Sequence, residues 1–326
     1  MNTLKISAAL LAIVWLGLSH PASARQSGAT TSGFPLVIQN CGLSITYTAP
    51  PKRAVTMNQP ATEIMLALGL HERLVGTAYL DDAILPALAE EYRKIPVLAA
   101  KYPSREGLLN ARPDFVYAAY ASAFAPTAAG PRKDLARFGA DSYVSPSSCG
   151  ASRRPGRITL ATVYDEIRDI GRIFGVSARA EQLIASFQAD IRATQARIGV
   201  VTKPPRVFWY DGGDPPSAGA CCGVPDEIMR LVDAENVFKD TPGSWKTVSW
   251  EEVVARNPDA IVLIDASWSP AADKRRLLKA SKAYASVDAI KSERFVTIDF
   301  SASTPGIRIV AAVRKLAESL YPGRFR

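Results

Sequence analysis

From Arg53 onward the chain alternates between two hydrophobic periods. Arg53-Ala54-Val55-Thr56-Met57 is a short β-rich run and predicts a strand. Pro60 then opens a helix that carries Ile64, Met65 and Leu68 on one face and stops at Gly69. Further on, Leu74-Val75-Gly76 predicts a strand, Ile84 to Tyr92 a helix and Phe115 to Ala118 a strand. A helix closing over Leu135 to Phe138 at Gly139 precedes a strand at Ser142-Tyr143-Val144. Such alternation predicts a mainly parallel sheet with helices on its faces. From Thr159 to Ile198 only the helical period remains, through Val163, Ile167, Ile170, Ile173, Phe174, Ile184, Phe187 and Ile191. Gly175 is the place where this run can break in two. A helix of about 25–40 residues reaches roughly 40–60 Å, the length of a rigid spacer. After Lys203-Pro204-Pro205 the strand–helix pattern restarts. Val207 to Tyr210, Ala260 to Ile264 and Phe295 to Ile298 predict strands, and Asp226 to Val232 and Ile307 to Leu320 predict helices. The expected fold is α/β: an N-terminal lobe over 53–158, a spacer over 159–203 and a C-terminal lobe over 204–326.

The halves share a weak repeat. Ser104-Arg105-Glu106, then Arg112-Pro113-Asp114, then the strand at Phe115 recurs as Ser249-Trp250-Glu251, Asn257-Pro258-Asp259 and the strand at Ala260. Each serine suits a helix N-cap, and each glutamate sits in a first turn, where the helix dipole favours an anion. Each Pro-Asp turns the chain from helix into strand. Glu106 and Glu251 are therefore expected at equivalent places, as a paired docking surface.

The N-terminus changes the compartment. Lys5, the apolar stretch Ile6 to Leu18 and Ala22-Ser23-Ala24 form an export signal over 1–24, too short for the ~20 residues of a membrane span. Residues 25–52 are expected to be a solvated leader and the start of the first lobe, in a soluble, periplasmic, monomeric protein. In an oxidising compartment cysteines pair. Cys41 with Cys149 is the expected bridge, both lying in the first half, while Cys221 and Cys222 form a vicinal disulfide or stay as thiols. The formal net charge of +8 suits an anionic ligand, but no basic cluster resembles a nucleic-acid arm. Only two histidines are present, His20 and His71, which argues against a bound zinc or manganese ion; no resident cofactor is expected, the metal chelate being the ligand. A secreted hydrolase would have to use Asp211 with Asp214, or Cys222 with His71, and no hydrolase motif accompanies them.

Several of these segments carry a family resemblance. Arg53-Ala54-Val55 through Glu63 to Leu68-Gly69-Leu70, then Leu74-Val75-Gly76-Thr77, resembles the opening of periplasmic binding proteins that serve iron–siderophore and vitamin B12 importers. So do Ala111-Arg112-Pro113-Asp114-Phe115-Val116, Glu235-Asn236-Val237-Phe238, Ser249-Trp250-Glu251-Glu252-Val253 and Pro305-Gly306-Ile307-Arg308. The resemblance implies two Rossmann-like lobes joined by a long helix, a ligand cleft between them, and delivery to an inner-membrane ABC permease and its ATPase. It also implies that Glu106 and Glu251 meet arginines of the permease.

Open α/β sheets bind ligands at the C-terminal ends of their strands. The segments expected there carry Asn58, Gln59, Tyr79, Tyr120, Trp209, Tyr210, Trp245, Trp268 and Phe300. Aromatic rings supply contact area at low entropy cost. Arg153, Arg154 and Arg157 lie in a Gly/Ser/Pro-rich loop before the spacer and can grip carboxylate or catecholate oxygens. Together they lead to an expected ligand, a ferric siderophore, with a corrinoid or haem as the alternatives.

Overall fold

The computed structural model describes residues 33–150, 152–153 and 156–326, so the export signal and Arg154 lie outside the described residues. The chain opens with an antiparallel hairpin of β1 (Leu36–Asn40) and β2 (Leu43–Tyr47). Its two-residue turn places Cys41 at φ 50° and Gly42 at φ 84°, the left-handed pair that matches strand twist in tight hairpins. Leu36, Ile38 and Tyr47 turn into the core while Val37 and Gln39 face out.

The first sheet has the order β5-β4-β3-β6-β7 and is wholly parallel. Its strands are β3 (Ala54–Met57), β4 (Leu74–Ala78), β5 (Val97–Ala99), β6 (Phe115–Ala118) and β7 (Asp141–Val144). They connect through α1 (Gln59–Ala67), α2 (Ala89–Tyr92), α3 (Arg105–Asn110) and α4 (Arg132–Arg137). The predicted helix over Ile84 to Tyr92 is realised only in its second half, after a short 3₁₀ turn at Pro86–Leu88.

The spacer is two helices, α5 (Leu160–Ile173) and α6 (Ser177–Ile198), broken where Gly175 takes φ 68°. They pack closely: a methyl group on Gly171 would fall 2.6 Å from Cβ of Ala180. The second sheet has the order β11-β9-β8-β12-β13, with β10 also pairing β8. Its strands are β8 (Arg206–Gly212), β9 (Ser217–Gly219), β10 (Glu235–Asn236), β11 (Trp245–Thr247), β12 (Ala260–Asp265) and β13 (Phe295–Asp299). Strands β8, β10, β12 and β13 are parallel, and β9 runs against β8 and β11 against β9. Helices α7 (Val224–Leu231), α8 (Trp250–Arg256), α9 (Ala271–Ala280), α10 (Asp288–Lys291) and α11 (Ile309–Leu320) complete this lobe.

The repeat extends to single hydrogen bonds. Ser104 Oγ accepts from Gly107 N and Ser249 Oγ from Glu252 N, each at 3.1 Å, so both serines cap their helices. The carboxylate of Asp114 accepts from Arg53 N, and that of Asp259 from Arg206 N, each at 2.8 Å. Both aspartates thus fasten a helix–strand turn to the start of the neighbouring parallel strand. The residues before the two prolines, Arg112 and Asn257, both take left-handed backbone, at φ 47° and 38°. The Arg53 side chain donates to Arg112 O and that of Arg206 to Asn257 O.

One apolar core runs through both lobes and the spacer, including Ile64 and Phe115, then Ile167 and Ile184, then Trp209, Ile264 and Val313. A buried ion pair joins the lobes as well: Arg308, just before α11, donates to Glu63 of α1 at 2.8 and 2.6 Å.

Candidate functional site

Two adjoining cavities lie where the strand ends of both sheets meet. One of about 460 Å³ is lined by Tyr120, Ser147, Ser148 and Cys149 from the first lobe. Asp211, Ser217, Ser244, Trp245, Phe300, Ser303 and Thr304 close it from the second. The other, of about 450 Å³, is lined by Asn58, Tyr79, Asp81, Lys101, Tyr102, Tyr120, Ser122, Trp268 and Phe300. Tyr120 and Phe300 belong to both, so the two form one cleft floor. Asn58 follows β3, Tyr79 follows β4, Tyr120 follows β6, Trp268 follows β12 and Phe300 follows β13. This is the ligand end of parallel α/β sheets.

Local folding sets these side chains. Asn58 and Tyr79 take φ 74° and 56° just beyond their strands, which turns the chain sharply over the cleft. Asn58 N donates to Ala78 O at 3.0 Å, and its Oδ1 accepts from the Tyr102 hydroxyl at 3.2 Å. The Tyr79 and Tyr102 rings lie 4.7 Å apart, and the Lys101 ammonium sits 4.2 Å over the Tyr79 face. Across the cleft Trp268 packs edge-on to Phe300 at 5.0 Å and leaves 57% of its surface exposed. Burial, with Asp82 adding its charge, pushes the Asp81 carboxyl up to about 6, and Lys101 opposes this. Burial likewise raises the Asp211 carboxyl, with Lys274 opposing.

The structure places the residues singled out in the sequence in different environments. Asn58, Tyr79, Tyr120, Trp245, Trp268 and Phe300 line the cleft. Gln59 does not: it is buried at the start of α1 and donates to Glu63 Oε1 at 2.9 Å. Trp209 is wholly buried, and Tyr210 is buried with its hydroxyl on Gly213 O at 2.9 Å. Strand β8 runs on to Gly212, so both rings are strand residues packed in the core. Arg157 pairs with Asp226 and borders a separate groove with Gly199 and Val200. Arg153 is exposed and lies against Gly42 of the hairpin turn. Arg308 is held by Glu63.

Cleft residues that the sequence reading passed over are Asp81, Lys101, Tyr102 and the hydroxyl group Ser122, Ser147, Ser148, Ser217, Ser244, Ser303 and Thr304. Asp81 and the Ser147-Ser148 pair stand just beyond β4 and β7, a position that would have marked them. Lys101 and Tyr102 lie in a loop with no pattern of its own.

The structure joins Cys41 to Cys149 and Cys221 to Cys222. Cys222 therefore offers no thiol, and His71 faces Glu91 at 3.0 Å. Asp214 accepts from the Trp250 indole at 3.2 Å. Among the described residues, no group of three or more His, Cys, Asp or Glu is arranged to hold a metal ion. Glu106 and Glu251 are both exposed, each in the first turn of its helix.

Two α/β lobes on a shared core, closed around an aromatic cleft at their strand ends, define a solute-binding protein. The periplasmic binding protein family matches residues 55–302, and the chain belongs to that family. Its members are transport components, not enzymes, and work with ABC permease and ATPase subunits. The chain is 28% identical to an uncharacterised ABC transporter substrate-binding lipoprotein of Bacillus subtilis, covering 98% of this chain and 97% of that one. It is 24% identical to a vitamin B12-binding protein of Vibrio parahaemolyticus, over 65% of this chain and 70% of the relative. Among solved structures, a periplasmic binding protein from Veillonella parvula superposes with a TM-score of 0.79 at 29% identity, covering 88% and 97%. An ABC-type Fe3+-hydroxamate transport protein from Saccharomonospora viridis shares the fold, with a TM-score of 0.73 at 24% identity and coverage of 88% and 99%.

Proposed function

We propose that this protein is exported to the periplasm, holds a corrinoid in the inter-lobe cleft and delivers it to an ABC importer. The observation that carries the ligand is the chemistry of the cleft walls: aromatic faces and hydroxyls, with Asp81, Asp211 and Lys101 as the charged groups and no guanidinium among the described lining residues. A ferric siderophore with carboxylate or catecholate arms calls for arginine clamps. Yet Arg157 is committed to Asp226, and Arg153 lies against the hairpin turn. A large, nearly neutral macrocycle edged with amides is better matched by rings and hydroxyls. The vitamin B12-binding proteins among its relatives support the same class. Glu106 and Glu251 are the proposed contacts to the permease, because they occupy equivalent exposed positions on the two lobes.

Intrinsic tryptophan fluorescence tests this, because Trp245 and Trp268 line the cleft. Cyanocobalamin is expected to quench saturably at micromolar concentration or below, while a ferric hydroxamate, a ferric catecholate and haem give at most weak, non-saturating changes. Saturable quenching by an iron chelate but not by cobalamin would reassign the ligand.

A further inference from the structure

The second cavity contains polar groups the protein leaves unmatched. Asp81 Oδ2 and the Tyr120 hydroxyl are both shielded from solvent; Asp81 Oδ2 has no hydrogen-bond partner, and the Tyr120 hydroxyl has only Thr304 beside it, whose own hydroxyl already donates to Ser301 O. Ser301 Oγ and Ser303 Oγ nearby are likewise unpartnered, whereas other neighbours are satisfied. The Tyr102 hydroxyl reaches Asn58 and Ser122, and the Asp82 carboxylate accepts from Ser301 N at 2.8 Å. Buried polar atoms without partners are uncommon in folded proteins and call for an explanation.

We propose that Asp81 and Tyr120 form a subsite that takes a primary amide of the ligand and rejects a carboxylate of the same shape. This rests on the corrinoid reading and adds the feature the cleft selects. The carboxylate of Asp81 can only accept, and the Tyr120 hydroxyl can donate. With both side chains turned toward the cavity they line, a primary amide can meet the pair, giving N–H to Asp81 and receiving O–H at its carbonyl. A ligand carboxylate has no proton for Asp81 and sets a second anion beside it. The one cation of this cavity among the described residues, Lys101, lies over the Tyr79 ring. Asp82 adds a further negative charge nearby. A corrin ring is edged with primary amides, and hydrolysis of one converts it into a carboxylate of nearly equal size. Haem propionates and citrate-type chelates present carboxylates from the start. Asp81 would thus separate fully amidated corrinoids from their acid forms and from acidic iron chelates.

The test uses the full mature chain, with cyanocobalamin and its isomeric monocarboxylates, each bearing one hydrolysed side-chain amide. Dissociation constants come from quenching of Trp268 and Trp245, and the quantity read is the ratio of acid form to amide form. The wild type is expected to bind at least one monocarboxylate about tenfold more weakly than cyanocobalamin, a difference of about 1.4 kcal/mol. Asp81→Asn, uncharged and of the same shape, should bring that isomer to near parity whatever happens to absolute affinity. Tyr120→Phe should weaken cyanocobalamin without erasing the discrimination, because the charge of Asp81 remains. Should Asp81→Asn fail to fold by its melting curve, Asp81→Ser takes its place. Equal binding of every isomer by the wild type, or a ratio unchanged in the Asp81 variant, overturns the subsite while leaving the corrinoid assignment standing. No binding of any corrinoid overturns the assignment and the subsite together.

Discussion

Glu166 shows how a single buried carboxyl bears on the behaviour of the fold. It lies on α5 beneath the first sheet and accepts from the Tyr117 hydroxyl at 2.5 Å and the Ser145 hydroxyl at 2.7 Å. Burial pushes its carboxyl up to about 7, and the two hydrogen bonds pull the other way. The folded protein therefore keeps this proton to near neutrality, whereas the unfolded chain releases it around pH 4.5. A raised carboxyl favours folding at low pH, and that contribution is lost as pH rises from about 4.5 through about 7. The loss is at most about 3 kcal/mol, since each tenfold change in proton affinity is worth about 1.4 kcal/mol. Glu166→Gln mimics the protonated form, so its melting temperature should fall by several degrees less than that of the wild type between pH 5 and pH 8. Parallel melting curves for the two proteins across that range would show that Glu166 carries no such linkage. At this scale the sequence is only partly legible. The aromatic rings just beyond strand ends are readable, but Trp209 and Tyr210 lie within a strand that continues two residues past the apolar run. The arginine loop is rich in charge, and charge alone says nothing about direction; Arg157 meets Asp226 rather than the cleft.

Among the elements, the N-terminal hairpin is the one most dependent on covalent and polar fastening. Asn40 donates through Nδ2 to Val144 O at 2.8 Å and accepts from Val144 N at 2.9 Å, which joins the hairpin to the end of β7. The Cys41–Cys149 bridge adds a tie across 108 residues of sequence. Chain-entropy models put the closure of a loop of this order at about 4–5 kcal/mol, offset by any native strain. Unreduced peptide mapping should recover a Cys41–Cys149 linkage and a Cys221–Cys222 pair within one peptide. Cross-links between the two sets would contradict this. With Cys41→Ser and Cys149→Ser together, the amides of β1 and β2 are expected to exchange faster than those of β3 and β6. Most of the longer elements are legible because their periods persist for several turns or a full strand; α9 (Ala271–Ala280) is not, since its run of Lys and Arg leaves little apolar period. The hairpin is not, since it follows a Ser/Gly-rich leader and its alternation spans only five residues on each side. Strands β9, β10 and β11 are two or three residues long and are held by their neighbours rather than by their own pattern.

In the whole molecule, the repeat places Glu106 and Glu251 at equivalent positions on two lobes that share one core. An isolated exposed ion pair contributes only about 0.2–1 kcal/mol. Two pairs on a stiff frame reinforce each other, because the second contact forms within an already docked complex. Glu106→Ala combined with Glu251→Ala is expected to leave ligand affinity and melting temperature nearly unchanged and to abolish ligand uptake in cells. Normal uptake by the double variant would remove the docking role, and loss of ligand binding in vitro would move the two residues into the cleft. The repeat is legible in the sequence because a proline and an aspartate occupy fixed places in both halves. Its physical basis, an aspartate fastening the neighbouring strand's first amide in each lobe, emerges only from the hydrogen bonds.

The buried Glu63–Arg308 pair also bears on signalling. It spans the lobes alongside a spacer whose two helices touch at Gly171 and Ala180, so large hinge motions would have to expose a charge pair and part of a common core. Breaking such a pair is costly. With Glu106 and Glu251 docking as proposed, a transporter would not read cargo as a wide change in the spacing of these two residues. Occupancy would then be reported by finer means, through the loops at the cleft rim, and the carrier would present nearly the same face whether it arrives full or empty. Empty carriers would compete for the same dock, and their abundance relative to cargo would set the rate of uptake.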